Sequence, residues 1–136
     1  MEIKLKVKDV VDAWESLRAL AGRKLKIQPS FWLGRQIKRL KATYESYEDS
    51  HGDLVKELGA QGENGKEWRV KKENEKEFAA RIKDLLDADV TETIEPRPVA
   101  FLALEEIEPA ILFNLWFLFT DEEPPSPTAP TPKEDK

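Results

Sequence analysis

The stretch from Ser30 to Leu58, "SFWLGRQIKRLKATYESYEDSHGDLVKEL", decides the architecture. Leu33, Ile37, Leu40, Tyr44, Tyr47, His51, Leu54 and Leu58 recur at intervals of four and three residues, the spacing of an apolar seam on one helix face. The pattern predicts a helix of about 28 residues ending at Gly59, near 42 Å long at about 1.5 Å per residue. A rod of that length in a chain of 136 residues outruns any one neighbour, so part of the seam must meet another helix.

That partner is expected from about residue 75 to 87. Asn74 stands where an N-cap would, Glu77 completes a capping box, and Phe78, Ile82, Leu85 and Leu86 supply an apolar face. The two helices are read as an antiparallel hairpin. Between them, Asn64-Gly65 signals a tight turn, and Trp68 and Val70 alternate as in a short extended segment.

Upstream, Ile3, Leu5 and Val7 alternate with charged residues, which predicts a strand over residues 2 to 8. Asp9 is a candidate N-cap for a first helix from 10 to 21, with Val10, Val11, Trp14, Leu17, Leu20 and Ala21 on one face and Gly22 as a left-handed stop. "KLKIQ" alternates at Leu25 and Ile27 and reads as a short strand. Downstream, Val90 to Ile94 reads as a strand, Pro96 and Pro98 interrupt it, and Val99 to Leu104 reads as a second extended run. Pro109 suits the first turn of a last helix ending near Thr120.

The predicted fold class is α+β: a long helix paired antiparallel with a shorter one, two further helices and a small sheet. Residues 1–121 are expected to form a single domain. Residues 122–136 carry five prolines and no large apolar side chain, and are expected to form a disordered proline-rich tail, a solubilising extension before a ligand for an aromatic groove.

The last helix, "AILFNLWFLF", is apolar on every side, so it is expected to plug the core. Trp32, Trp116, Phe117 and Phe119 are the apolar candidates for a surface shared with another chain. Monomer and homodimer both remain open, because Leu33, Ile37 and Leu40 need cover from somewhere. As a helix, residues 110 to 119 would span about 15 Å, half of a bilayer's hydrocarbon thickness, so no membrane span is expected.

Composition removes several chemistries. There is no Cys, hence no disulfide, thiolate nucleophile or Cys-bound zinc, and His51 is the single histidine. It sits in the seam and is expected to be a half-buried structural residue. Ser50 cannot use it as a base, since adjacent residues on a helix do not face each other. Neither a phosphate-binding glycine loop nor a metal-binding pattern occurs, so no catalytic residue, metal or cofactor is expected. Abundant Lys, Arg and Glu with few Asn, Gln and Met suggest a thermophilic host. "MEIKLKVKD" has no apolar segment of a targeting signal, which points to a protein made and kept in the cytoplasm, or delivered by assembly.

The net charge of −5 hides an asymmetry: eight basic and no acidic residues lie between Arg18 and Lys41. Within that stretch Arg23, Lys24, Lys26, Arg35, Lys38 and Arg39, interleaved with Phe31 and Trp32, are the candidate partner-binding cations. They could grip nucleic acid or an acidic protein, or simply form a solvated helix face, and overall acidity disfavours nucleic acid.

The order of segments resembles an uncharacterised family of short phage-encoded proteins. The resemblance runs over about residues 1 to 120, through "MEIKLKVKDVVDAWESLRAL", "YESYEDSHGDLVKELG", "GENGKEWRV", "EFAARIKDLLDADVTETI" and "LEEIEPAILFNLWFLF". It implies a phage or prophage origin, in a family often encoded near tail and lysis genes and without an assigned activity. The expectation is therefore a non-enzymatic phage accessory protein that works by protein contact, in virion or tail morphogenesis. One alternative is a host-takeover factor that binds a host complex such as RNA polymerase or a defence nuclease; another is nucleic-acid binding through residues 18–41.

Overall fold

The structure, a computed structural model, describes residues 1–62, 65 and 67–120. Strand β1 (Glu2–Lys6) leads without a gap into α1 (Val7–Ala21), which is followed by α2 (Ile27–Leu58). A small hairpin of β2 (Gly59–Gln61) and β3 (Trp68–Val70) comes next, then a 3-10 turn (Lys72–Asn74) and α3 (Glu75–Leu86). Strand β4 (Asp89–Thr93), a 3-10 turn (Val99–Leu102), α4 (Pro109–Asn114) and a last 3-10 turn (Trp116–Leu118) complete the order.

The α+β reading holds, with α2 at its centre. At 32 residues α2 spans about 48 Å. It starts earlier than the seam suggests because Pro29 falls in the first turn, where a missing N–H costs no helical bond. The segment read as a strand at "KLKIQ" is therefore irregular up to Lys26 and helical from Ile27. Leu25 and Ile27 had no strand to pair with; the helix took Ile27 and left Leu25 packed against the core.

Helix α1 buries Val10, Ala13, Leu17 and Leu20 completely, one face at spacings of three and four. They pack on Trp32, Leu33 and Leu40 of α2 and on Leu115, Phe117 and Leu118 near the end of the fold. Trp14 of α1 stacks on Tyr44 of α2 with ring centroids 4.6 Å apart. Asp9 acts three residues into α1 rather than at its N-cap: its carboxylate accepts the Lys6 N–H at 2.9 Å. Gly22 ends the helix in a right-handed conformation (φ −82°), its N–H bonded to Arg18 and Ala19 carbonyls, so no left-handed stop is needed.

Strands β1 and β4 pair antiparallel, with Leu5 opposite Val90 and Ile3 opposite Glu92. At one end of this ribbon Lys6 Nζ lies 2.8 Å from Asp89, and that hydrogen bond holds the Asp89 carboxyl below its usual range. The β2–β3 hairpin caps the far end of α2. Gly59 is required there, because a Cβ would lie 2.3 Å from the Arg69 carbonyl oxygen and 2.4 Å from that of Val55. The Asn64-Gly65 turn is only partly within the described residues; Gly65 has a φ of +70°, as such turns demand.

Helix α3 runs back along the outer half of α2, giving the antiparallel hairpin. Asn74 beside Leu58, Arg81 beside Glu57 and Phe78 against His51 fix its direction. Asn74 does not cap α3. Its amide donates to the Leu58 carbonyl at 2.8 Å, closing the C-terminus of α2 instead. His51 is half-buried between Tyr47 and Phe78, as expected of a structural residue.

Two expected elements differ. Val99–Leu102 is a 3-10 turn rather than an extended run, since Pro98 sets φ at −66° and Ala103 ends the turn in a left-handed conformation (φ 53°). The last helix stops at Asn114, whose side chain donates to the Ser16 hydroxyl. The chain then tightens, which turns Leu115, Phe117 and Leu118 all inward and frees Phe119 to become extended. The plug is real, as a short helix and a turn. Residues 122–136, expected to be a disordered tail, lie outside the described residues.

Candidate binding groove

The first three turns of α2 present Ile27, Phe31 and Arg35 at intervals of four, one above the other. Ile27 is 84% exposed and Phe31 68%, the most exposed large apolar side chains among the described residues apart from Met1. Beside this stripe lies Trp32, and opposite it runs the segment from Glu95 to Phe101. Together they line a groove of about 480 Å³ whose walls are Ile27, Gln28, Phe31, Trp32, Arg35, Glu95, Arg97 and Phe101.

The far wall is held by polar bonds from α2. The Glu95 N–H donates to Gln36 Oε1 at 3.0 Å, and the Glu95 carbonyl accepts the Trp32 indole N–H at 2.6 Å. Gln36 is fully buried, and its amide also donates to the Trp32 carbonyl at 3.3 Å. Burying that side chain would be costly without partners, and here both of its ends have one. The wall is thus positioned by residues that point into the core, while the groove itself stays open.

Its electrostatics are lopsided. Arg35 Nη2 lies 2.7 Å and Arg39 Nη1 3.4 Å from Glu95 Oε1, and Arg97 Nη2 lies 3.5 Å from Oε2. Three guanidiniums converge on one carboxylate, leaving an excess of two positive charges. Arg39 Nη1 and Glu95 Oε1 are buried as atoms without a hydrogen-bond partner among the described residues. Two of the arginines also cover aromatic rings, Arg35 over Phe31 and Arg97 over Phe101, each at 5.8 Å. A surface made of exposed rings and guanidiniums in surplus accepts apolar and anionic groups together.

The candidates from the sequence divide. Arg35 and Arg39 enter the groove. Arg23 does not: it pairs with Glu108 at 2.9 Å and donates to the Glu106 carbonyl at 2.9 Å, tying down the approach to α4. Lys24, Lys26 and Lys38 are exposed and pair with no described residue. The basic first half is thereby partly neutralised by acids from the second half.

The four apolar candidates do not form one surface. Trp32 and Phe117 are each 4% exposed and belong to the core, because both fill the space between α2 and the chain's last turn. Phe119 packs against Trp32 with centroids 6.2 Å apart. Trp116, 40% exposed, lies elsewhere, beside Phe113, Lys8 and Asp12 near the start of α1.

Ile27, Glu95, Arg97 and Phe101 were not singled out by sequence reasoning. "EPRP" at residues 95–98 was the available signal: two charged residues, each followed by a proline that has no N–H to donate to a sheet ladder. Among the described residues no group of His, Asp and Glu is placed to hold a metal, and no helix is long and apolar enough to cross a membrane. Comparison with family models, with curated proteins and with solved structures gives no match.

Proposed function

We propose that the protein is a non-catalytic binding protein, and that its groove takes an extended acidic segment of a partner protein. The observation that carries this reading is the pairing of Ile27 and Phe31, exposed on the first turns of α2, with a cluster of three arginines around a single carboxylate. Exposed apolar rings supply contact area, and surplus guanidiniums select for carboxylates and steer their approach. The phage resemblance gives this adaptor a setting in virion or tail assembly, inside the host cell or on the particle.

Nucleic acid is a weaker occupant. Phosphate binding along a strand needs cations spread over many contacts, whereas the surplus here is two charges at one spot, Arg23 is paired with Glu108 and the net charge is −5.

Peptide-display selection with the purified full chain tests the proposal, with Phe31→Ser as the counter-selection. The expected ligands are acidic and apolar, and Phe31→Ser no longer binds them. Ligands that ignore Phe31→Ser would move the site elsewhere, and turnover of nucleotides by the pure protein would end the non-catalytic reading. Capture from infected cells would then name the partner.

A further inference from the structure

The described residues end beside the groove, at Thr120, and the sequence continues from there. The Arg97 N–H donates to the Leu118 carbonyl at 3.0 Å, and the Thr120 N–H donates back to the Arg97 carbonyl at 3.0 Å. This short parallel bridge holds Phe119 and Thr120 beside the wall that carries Arg97. Sixteen residues follow Thr120, and they begin Asp121, Glu122, Glu123 before a run with five prolines between Pro124 and Pro132.

We propose that residues 121–136 bind the groove of their own chain, so that the binding surface is self-occupied until a partner displaces them. The inference rests on the groove being a binding surface and goes further by naming its resident ligand and, with it, a mode of regulation. Two features meet at this place. Three carboxylates follow directly on a residue bonded to Arg97, where Arg35, Arg39 and Arg97 share only Glu95. The proline run favours an extended polyproline conformation, which loses little entropy on binding and docks on aromatic surfaces such as Phe31 and Phe101.

Reach is ample. Ile27 and Arg35 lie about 12 Å apart along the helix at about 1.5 Å per residue, and nine residues of polyproline helix at about 3.1 Å each cover about 28 Å. Attachment next to the site makes the encounter intramolecular, at an effective concentration in the range of mM for short tethers. An outside segment therefore binds only to the fraction of molecules whose groove is vacant, and its apparent affinity falls by that fraction.

The absence of cysteine makes the test clean. Ala129→Cys in the full chain carries a nitroxide, and the four Trp indole N–H signals of the isotope-labelled protein are read against the reduced label. The expected result is loss of most of the Trp32 indole intensity and of the Phe31 and Arg35 amides, with Trp14 and Trp68 unaffected. The loss should vanish when Asp121→Asn, Glu122→Gln and Glu123→Gln are combined, and in about 1 M salt, where charges are screened within about 3 Å. Uniform loss over all four indoles, or none, overturns self-occupation. So does loss that appears only on mixing spin-labelled unlabelled-isotope protein with isotope-labelled protein, since the occupant is then a second copy. If self-docking fails while display-selected acidic peptides still bind the parent and not Phe31→Ser, the groove's function stands and self-occupation alone is wrong. If both fail, the groove is not a binding surface.

Discussion

From Trp32 to Leu40, the inward face of α2 is covered by α1, the Glu95 wall and the closing turn, with Leu33 and Leu40 at most 2% exposed. From Tyr47 to Leu58, beyond the Trp14–Tyr44 stack, the same seam meets mainly α3 and the small hairpin, and α3 has no buried residue at all. There the contacts are the rings of Tyr47, His51 and Phe78, an exposed Arg81–Glu57 pair and the Asn74 cap. One heptad pattern thus serves two kinds of packing: what surrounds a seam, and not the seam itself, sets how firmly it is held. The groove stands on the firm half, which is where a preformed binding surface belongs.

The largest effect should come from Leu40→Ala. It deletes a fully buried side chain from the firm half and should cost about 4 kcal/mol, against about 2 kcal/mol for Leu54→Ala, whose surroundings can collapse toward solvent. Urea unfolding of both variants checks this. Equal costs would mean that the outer half is as closely packed as the inner, and the contrast would disappear.

Next comes Gln36→Ala. It strands the Glu95 N–H and removes a buried side chain with bonds at both ends, for about 2 kcal/mol. The more telling readout is local: the Trp32 indole N–H should exchange faster with solvent, because the Glu95 carbonyl that accepts it is no longer held from Gln36. Unchanged exchange would show that the wall is positioned by packing alone.

The seam, the hairpin and the α+β class are visible in the sequence because they rest on local periodicity, which side chains carry on their own. Ring pairs such as Trp14 and Tyr44, the arginine cluster on Glu95 and the bridge from Arg97 to Phe119 are not, since each joins residues brought together only by folding. Arg35 and Arg39 could be suspected from their place in a basic run; that Glu95 would gather them, and that Glu108 would remove Arg23, could not. Capping was misread for a related reason. Asn74 has the right residue type at the right offset for α3, but the nearest unsatisfied group in space is a carbonyl at the end of α2.

That cap gives a smaller test. Asn74→Ala should cost about 1 kcal/mol, the usual worth of a hydrogen bond at a helix end, and should speed hydrogen exchange in β2, β3 and the last turn of α2 while leaving α1 untouched. Exchange that rises in α1 as well would mean that the two halves unfold together.

The smallest effect is one of pH. Burial, reinforced by the charge of Glu48, raises the Tyr47 phenol above its ordinary value of 10.0. A folded-state value above the unfolded one means that the neutral phenol is favoured by folding, so its contribution is complete below about pH 10 and is lost as pH rises through the folded-state value. The loss should fall on the outer half, where Tyr47 packs on His51. In Tyr47→Phe the drop in urea midpoint between about pH 9 and about pH 11 should be smaller than in the parent, leaving the part due to Tyr44, which burial raises in the same direction. An equal drop would show that solvent already reaches the Tyr47 hydroxyl in the folded chain. Tyr47 would then add contact without burial, and α3 would be a lid on α2 that stability barely registers.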